Sequence, residues 1–281
     1  MIPVAFDYRR AASVDDAVKL LAGSAGAKLI AGGHSLVPLM KLRLSEPTVL
    51  IDIGRIPALA GIREAGGAIE IGACTTHYQV SSSALVRERC PLLAEAAGSI
   101  GDSQVRNRGT LGGSLAHADP SADYPAAMLA LDATVLVQGP KGARQVAARD
   151  FFQGVFTVDL APDEILVGVR FTPVRSGAYA RLRQRASHFA IVGVAAALDV
   201  SAGVIKGARV GVTGAGPSAT RLTAVEEALA GKPANAATAA EAAGRATLDQ
   251  VNADLHGSAD YRRAMTKVFT QRALEGALAR V

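Results

Sequence analysis

Ala27-Lys28-Leu29-Ile30-Ala31-Gly32-Gly33-His34-Ser35-Leu36 is the stretch on which the fold turns. Ala27 to Ile30 reads as a strand, the glycine pair as a tight turn, and Leu36 to Leu44 as a helix leaving that turn. A second strand, Val49 to Ile53, completes a β-turn-α-β unit, and its short crossover implies parallel strands. Upstream, Ser13-Val14-Asp15-Asp16 has the form of a capping box. The stripe Ala17, Val18, Leu20 and Leu21 that follows ends at Gly23, which predicts a first helix.

A second glycine pair lies in Thr110-Leu111-Gly112-Gly113-Ser114. The two pairs together predict two halves of a cradle for one pyrophosphate, so the expected ligand is a dinucleotide. Glycine suits that task because, without a Cβ, its backbone reaches positive φ and approaches an anion closely, presenting successive N–H donors. Ser35, Thr110 and Ser114 add hydroxyl donors. A single glycine pair is weak evidence, since a strand-to-helix turn needs glycine whether or not anything binds. Neither turn fits Gly-x-Gly-x-x-Gly and no Gly-x-x-x-x-Gly-Lys-Ser/Thr occurs, which argues against a Rossmann fold and a P-loop.

From Leu59 the pattern changes to hairpins. Ala60–Arg63 and Ala68–Ile71 flank Gly66-Gly67, and Ala133–Gln138 and Ala143–Ala147 flank Gly139-Pro140-Lys141-Gly142. Pro91 to about Ile100 and Tyr124 to Leu131 read as helices, 101–109 as a polar loop, and Ile165 to Phe171 as a strand. Thr172-Pro173-Val174-Arg175-Ser176-Gly177 is the best domain boundary, being short, polar and broken by proline and glycine. Beyond it, Phe189–Val200 and Val204–Gly214 read as strands. The remainder is helical, with Tyr261, Met265, Val268, Phe269 and Leu274 forming a packing face.

Composition narrows the functional classes. The 281 residues, 49% hydrophobic and 20% charged, are those of a globular chain with room for two domains. The longest apolar run, Ala190 to Leu198, is far short of the roughly 20 residues that cross a bilayer. The net charge of +5 is scattered and aromatics make up only 4%, which argues against nucleic acid. The N-terminus lacks the form of a secretory signal, so the expected location is cytoplasmic. Cys74 and Cys90 are the only cysteines, too few for an iron–sulfur cluster or a closed zinc site. His34 and His117 stand without partners at metal-ligand spacing, so no metal site is expected.

The run Leu115-Ala116-His117-Ala118-Asp119-Pro120-Ser121-Ala122-Asp123 is rich in polar groups held by turn residues and suits recognition of hydroxyls. Asp123 has two readings: an acceptor for ribityl or ribose hydroxyls, or the N-cap of the helix that follows.

At these residues a resemblance becomes specific. Ala31-Gly32-Gly33-His34-Ser35, Arg106-Asn107-Arg108-Gly109-Thr110-Leu111-Gly112-Gly113 and the Asp-Pro-Ser-Ala-Asp stretch at 119–123 together resemble the FAD-carrying medium subunits of molybdenum hydroxylases. Aerobic carbon monoxide dehydrogenase and xanthine dehydrogenase carry such a module. The likeness runs over nearly the whole chain, from Phe6-Asp7-Tyr8 to the Tyr261–Met265 segment.

The resemblance implies an α+β chain. A PCMH-type, vanillyl-alcohol-oxidase-like FAD-binding domain would cover 1–175, in two α/β subdomains at about 1–57 and 58–175. A carbon monoxide dehydrogenase flavoprotein C-terminal-like α+β domain would cover 176–281. FAD would lie between the subdomains, its pyrophosphate on Ala31, Gly32, Gly33, His34 and Ser35 and on Thr110, Leu111, Gly112, Gly113 and Ser114. Asp123 matches the acidic contact to the flavin's sugar-like chain, and Leu166 a residue that packs on or bonds to the isoalloxazine. Phe189 takes the place of an aromatic near the ring and Arg183 that of a basic residue approaching it; from its own sequence, Phe189 reads equally as the first core residue of a strand. Ser114 stands where asparagine is the more frequent residue.

The function implied is electron transfer. Substrate would be oxidised at a molybdopterin on a large subunit, and electrons would pass through two-iron two-sulfur clusters on a small subunit to FAD, then to NAD, a quinone or another acceptor. A dimer of heterotrimers is the implied assembly. Two other readings stay open at this point: a self-contained FAD-dependent oxidoreductase, and a non-catalytic adenine-nucleotide-binding module.

Overall fold

The N-terminal unit forms as expected and gains a strand. The computed structural model describes residues 1–281. Strands β1 (Asp7–Arg10), β2 (Lys28–Ile30) and β3 (Val49–Asp52) make a sheet in the order β1-β3-β2 with both pairs parallel. Between them, α1 (Val14–Ala22) is capped at Ser13, whose side chain accepts from the Asp16 N–H; Asp16 in turn accepts from the N–H of Ala12. Helix α2 (Leu36–Lys41) is shorter than expected, because Arg43 turns to the left-handed region at φ 57°. Strand β1 was not legible: Asp7-Tyr8-Arg9-Arg10 is exposed throughout, so no apolar alternation marks it, and the backbone ladder to β3 places it, with the Tyr8 hydroxyl donating to the Asp52 carboxylate.

The middle of the chain builds a five-stranded antiparallel sheet. Strands β4 (Ile62–Ala65) and β5 (Ala68–Gly72) join through Gly66 and Gly67, both at positive φ as a two-residue hairpin turn requires. Six helices follow: α3 (His77–Ser82), α4 (Ala84–Arg89), α5 (Pro91–Ser99), α6 (Ser103–Arg106), α7 (Leu111–His117) and α8 (Asp123–Ala130). Then come β6 (Thr134–Gly139), β7 (Gly142–Ala147), the single turn α9 (Ala148–Phe151), a small hairpin of β8 (Phe152–Gly154) and β9 (Thr157–Val158), and β10 (Ile165–Phe171). The sheet order is β4-β5-β10-β6-β7, with the last strand at the centre.

Two expectations fail here. The polar loop 101–109 contains α6, capped by the Asp102 carboxylate on the Val105 N–H. The second glycine pair is the first turn of α7, capped by the Thr110 hydroxyl on the Gly113 N–H, so it is not a loop of its own.

The C-terminal part is a sheet of β11 (Gly177–Arg183), β12 (Ala190–Ser201), β13 (Val204–Thr213) and β14 (Thr220–Arg221), antiparallel in chain order, with α10 (Thr223–Leu229), α11 (Ala236–Ala243) and α12 (Ala259–Leu278). Alternation along β12 explains its unbroken apolar run. Val192, Val194, Ala196 and Leu198 face Phe269, Ala273 and Leu274 of α12, while Ala195 and Ala197 share a core with α5 and α8. A Cβ at Gly211 would overlap the Ala126 backbone of α8, so glycine is what lets this helix lie against the sheet. All eight residues of α8 are buried between the five- and four-stranded sheets.

The packing face of α12 differs from the expected one. Tyr261 and Val268 are exposed, and the buried stripe includes Arg262 and Thr266. Arg262 tolerates burial because its guanidinium is saturated: it donates to the carbonyls of Ile191 (2.9 Å) and Gly214 (2.7 Å) and to both oxygens of Asp254 (2.7 Å each). Arg262→Met strips those carbonyls of their donor, at about 1–3 kcal/mol per buried group. The expected loss is about 3 kcal/mol, a fall of roughly 6–12 °C in the unfolding midpoint, read by a thermal melt of the variant beside the parent.

Candidate functional site

One cleft of about 620 Å³ gathers the sequence-predicted site residues, all except Leu111 and Arg183. Its first wall is the turn after β2. Gly33 adopts φ 76° there, and the N–H groups of Gly32, Gly33, His34 and Ser35 donate to no acceptor within the chain. The Ser35 side chain caps nothing. This is a run of consecutive free donors at the cleft edge, the arrangement that takes an anion. Gly32 serves packing instead. Its Cβ would overlap the Arg108 carbonyl, so the first motif touches the Arg108–Gly109 backbone that leads into the second.

The second motif is built differently. The N–H of Leu111 donates to the Thr75 carbonyl (3.0 Å), that of Gly112 to Ala73 (2.8 Å), and those of Gly113 and Ser114 to the Thr110 side chain and carbonyl. Its donors are therefore committed to the fold. The motif presents the cleft with Thr110, Gly112, Gly113 and Ser114, while Leu111 is a fully buried core residue. Gly112 packs against Ala73, but a Cβ on Gly113 would meet only the Thr110 hydroxyl, at 2.8 Å.

Asp123 lies at the cleft with 4% exposure. It is the first residue of α8, whose N-cap is Ala122, so its carboxylate is free to act elsewhere. Its Oδ1 accepts from the Tyr179 hydroxyl (2.6 Å), and both of its oxygens accept from Arg181 Nη1 (2.9 and 3.0 Å). Burial pushes the Asp123 carboxyl up, while Arg181 and Tyr179 pull it back. Tyr179 and Arg181 were missed from sequence. They sit two apart on β11, so alternation puts both on one face, yet nothing in the spacing ties that face to residue 123.

Arg183, the expected basic residue, is exposed and outside the cleft lining. Arg183 is the last residue of β11, where the register against β12 shifts because Ile191 is left unpaired between Val192 and Ala190. Phe189 precedes β12, which begins at Ala190; it lines the cleft with 47% exposure and is no core residue. Leu166 is buried in the lining, on β10 beside a register shift between Leu166 and Gly168. The loop leading to it is anchored by Arg144, which holds Glu164 (2.7 Å) and Asp159 (2.9 Å) and keeps the Glu164 carboxyl below its ordinary value.

His77 is a further cleft residue that sequence reasoning missed. Thr76 and Gln79 make a capping box that starts α3 there, a start signal legible in the sequence, but nothing in it brings residue 77 beside 109. The His77 N–H donates to the Gly109 carbonyl (3.0 Å), and its Nδ1 lies 3.2 Å from the Tyr124 hydroxyl. Burial, then the charges of His34 and Arg106, push the His77 imidazole down to about 4. Cys74, also in the lining, and Cys90 are buried thiols, each pushed up to about 12 mainly by burial.

Two family models match the chain: the FAD binding domain in molybdopterin dehydrogenase over residues 4–173, and the CO dehydrogenase flavoprotein C-terminal domain over residues 177–277. The chain belongs to the family of FAD-binding subunits of molybdopterin dehydrogenases. It is 42% identical to the carbon monoxide dehydrogenase medium chain of Hydrogenophaga pseudoflava, covering 100% of this chain and 99% of that one. It is 40% identical to the 6-hydroxypseudooxynicotine dehydrogenase complex subunit alpha of Paenarthrobacter nicotinovorans, covering 100% and 97%. A solved structure of the Hydrogenophaga pseudoflava carbon monoxide dehydrogenase superimposes with a TM-score of 0.94 at 43% identity, covering 100% of this chain and 99% of that one. The protein is thus a flavoprotein subunit of a molybdenum hydroxylase, an oxidoreductase whose relatives are named as medium chains or medium subunits of multi-subunit enzymes. No helix is long and apolar enough to cross a membrane.

Two measurements probe the site. Gly113→Ala is expected to lower the flavin-to-protein ratio while costing the fold about 1 kcal/mol, the worth of a disturbed cap, whereas Gly32→Ala forces the motifs apart and loses fold and flavin together. Absorbance and a melt of each variant separate the two outcomes. The second measurement concerns pH. The unfolded chain protonates residue 77 near the ordinary histidine value of about 6.5. With the folded value near 4, the contribution of His77 is complete above about pH 6.5 and is lost as pH falls toward 4, by up to about 3 kcal/mol. His77→Phe is expected to flatten the stability profile over that window, measured by denaturant unfolding at several pH values.

Proposed function

We propose that this chain holds FAD across the cleft, the pyrophosphate on the free N–H run of Gly32–Ser35 and on the hydroxyls of Thr110 and Ser114. Asp123 faces the sugar-like chain, where its Oδ2 keeps a lone pair beyond the one that Arg181 occupies. Leu166 and Phe189 border the ring. The single observation behind this reading is the donor run of the first motif, free and facing the same cleft as the second motif. The residues present fit a dinucleotide. The lining supplies neutral N–H and O–H donors at one end, a buried carboxylate for hydroxyls, and apolar side chains around both.

The flavin supplies the redox chemistry. The chain's own residues bind it, orient it and shield it from water. We assign 1–175 to the flavin-binding domain, with subdomains at about 1–57 and 58–175, and 176–281 to the C-terminal domain. The separate three-, five- and four-stranded sheets support that division. The partners are a large molybdopterin chain and a small chain carrying two-iron two-sulfur clusters, arranged as a dimer of heterotrimers in the cytoplasm. NAD, a quinone or a related carrier takes the electrons. The substrate belongs to the large chain: relatives 42% and 40% identical over the full length are named for carbon monoxide and for a nicotine derivative.

The isolated subunit is expected to show no flavin reduction by the substrate of the complex. Adding both partner chains restores bleaching of the flavin band, and leaving out the small chain abolishes it. Substrate-dependent reduction by this polypeptide alone would overturn the electron-transfer reading in favour of a self-contained flavoenzyme.

A further inference from the structure

The connection between β11 and β12 carries Phe189 to the cleft, and one buried guanidinium links it to the cleft carboxylate. Arg181, with a side chain 7% exposed, points Nη1 at both Asp123 oxygens and at the His188 carbonyl (2.8 Å), and Nη2 at the Ser99 carbonyl. Two hydrogens on Nη1 serve three acceptors: one goes to His188 and one is shared by the carboxylate. His188 is strained, at φ 62°, and its Nδ1 lies 3.1 Å from the Gly101 carbonyl. A non-glycine residue keeps that conformation only where its surroundings hold it. Within the loop, the Gln184 N–H donates to the Phe189 carbonyl (2.8 Å) and the His188 N–H to the Gln184 carbonyl (2.9 Å), so it moves as one closed turn. Asp123, His188 and Phe189 all line the cleft, whereas Arg181 stands behind them.

We propose that Arg181 is a positioning residue of the flavin site, tying the cleft carboxylate Asp123 to the loop that bears Phe189, so that cleft occupancy and loop position are one equilibrium. The inference rests on the reading that FAD occupies this cleft. A ligand that contacts both Asp123 and Phe189 favours the state in which Arg181 holds both. By linkage, the loop position that Arg181 holds raises flavin affinity by the factor with which flavin steadies that position. Arginine is needed because only a planar fork reaches Ser99, Asp123 and His188 at once; lysine keeps the charge beside Asp123 and loses the span. Tyr179 provides the contrast. Its hydroxyl touches Asp123 and its side chain makes no hydrogen bond to the loop.

Exposed Arg183 and Arg185 make the loop a trypsin target. The test takes the full-length chain as wild type, Arg181→Lys, Arg181→Gln and Tyr179→Phe, and measures FAD affinity and the rate of cleavage after Arg185, without FAD and at saturation. Saturating FAD is expected to slow cleavage by about fivefold or more in wild type and Tyr179→Phe, and by less than about twofold in both Arg181 variants. Flavin affinity is expected to fall about fivefold or more in Arg181→Lys. Because Arg181→Gln leaves a buried charge unpaired, Arg181→Lys decides the matter where the glutamine variant does not fold. Equal protection and equal affinity in Arg181→Lys and wild type would overturn the proposal. Wild-type protein that binds no FAD would overturn the flavin reading itself; wild-type protein that binds FAD with no change in loop cleavage would overturn only the role of Arg181.

Discussion

A carboxylate removed from water must be paired, and the burial of Asp123 organises the centre of this molecule. Left alone, it would cost several kcal/mol or give up its charge. Its donors come from β11, in the other half of the chain, so the two halves are locked together where the cleft lies. That meeting depends on small residues. Gly211 admits the backbone of α8, and Gly193 leaves room for the Tyr179 ring, whose hydroxyl a Cβ at 193 would strike. Close packing of a helix on a sheet thus sets the position of one carboxylate. Glu95 reinforces the junction by accepting from the Tyr179 N–H (2.8 Å) and from Arg280 beyond the C-terminal helix.

The two glycine motifs look alike as sequence and differ as structure. In the first, donors are left free by a turn at positive φ; in the second, they are consumed by Thr75, Ala73 and Thr110, and the motif acts as the buttress on which the first rests. Gly32 and Gly112 are required by backbone contact, while Gly33 answers to conformation and Gly113 to space at the cleft. A glycine pair therefore marks a close approach without saying what approaches, whether a ligand or another part of the chain.

This division of labour accords with a module shared among enzymes of different substrates. The relatives it matches from end to end are named for carbon monoxide and for a nicotine derivative.

Local periodicity and turn chemistry made much of this protein legible from its sequence alone. The first helix and its cap, the parallel β-turn-α-β unit, both hairpins, the strand Ile165–Phe171 and the two glycine motifs all rest on neighbours within a few residues. Features set by distant partners were not legible. Strand β1 is polar and held only by β3, and the backbone donors of Leu111 and Gly112 are taken up by the carbonyls of Thr75 and Ala73. The pairing of Arg181 with Asp123 has the same origin. A carboxylate 58 residues away meets Arg181, a pairing that sequence could not reveal, because contact energy is decided by which side chains share a buried space, and only the tertiary fold creates that space.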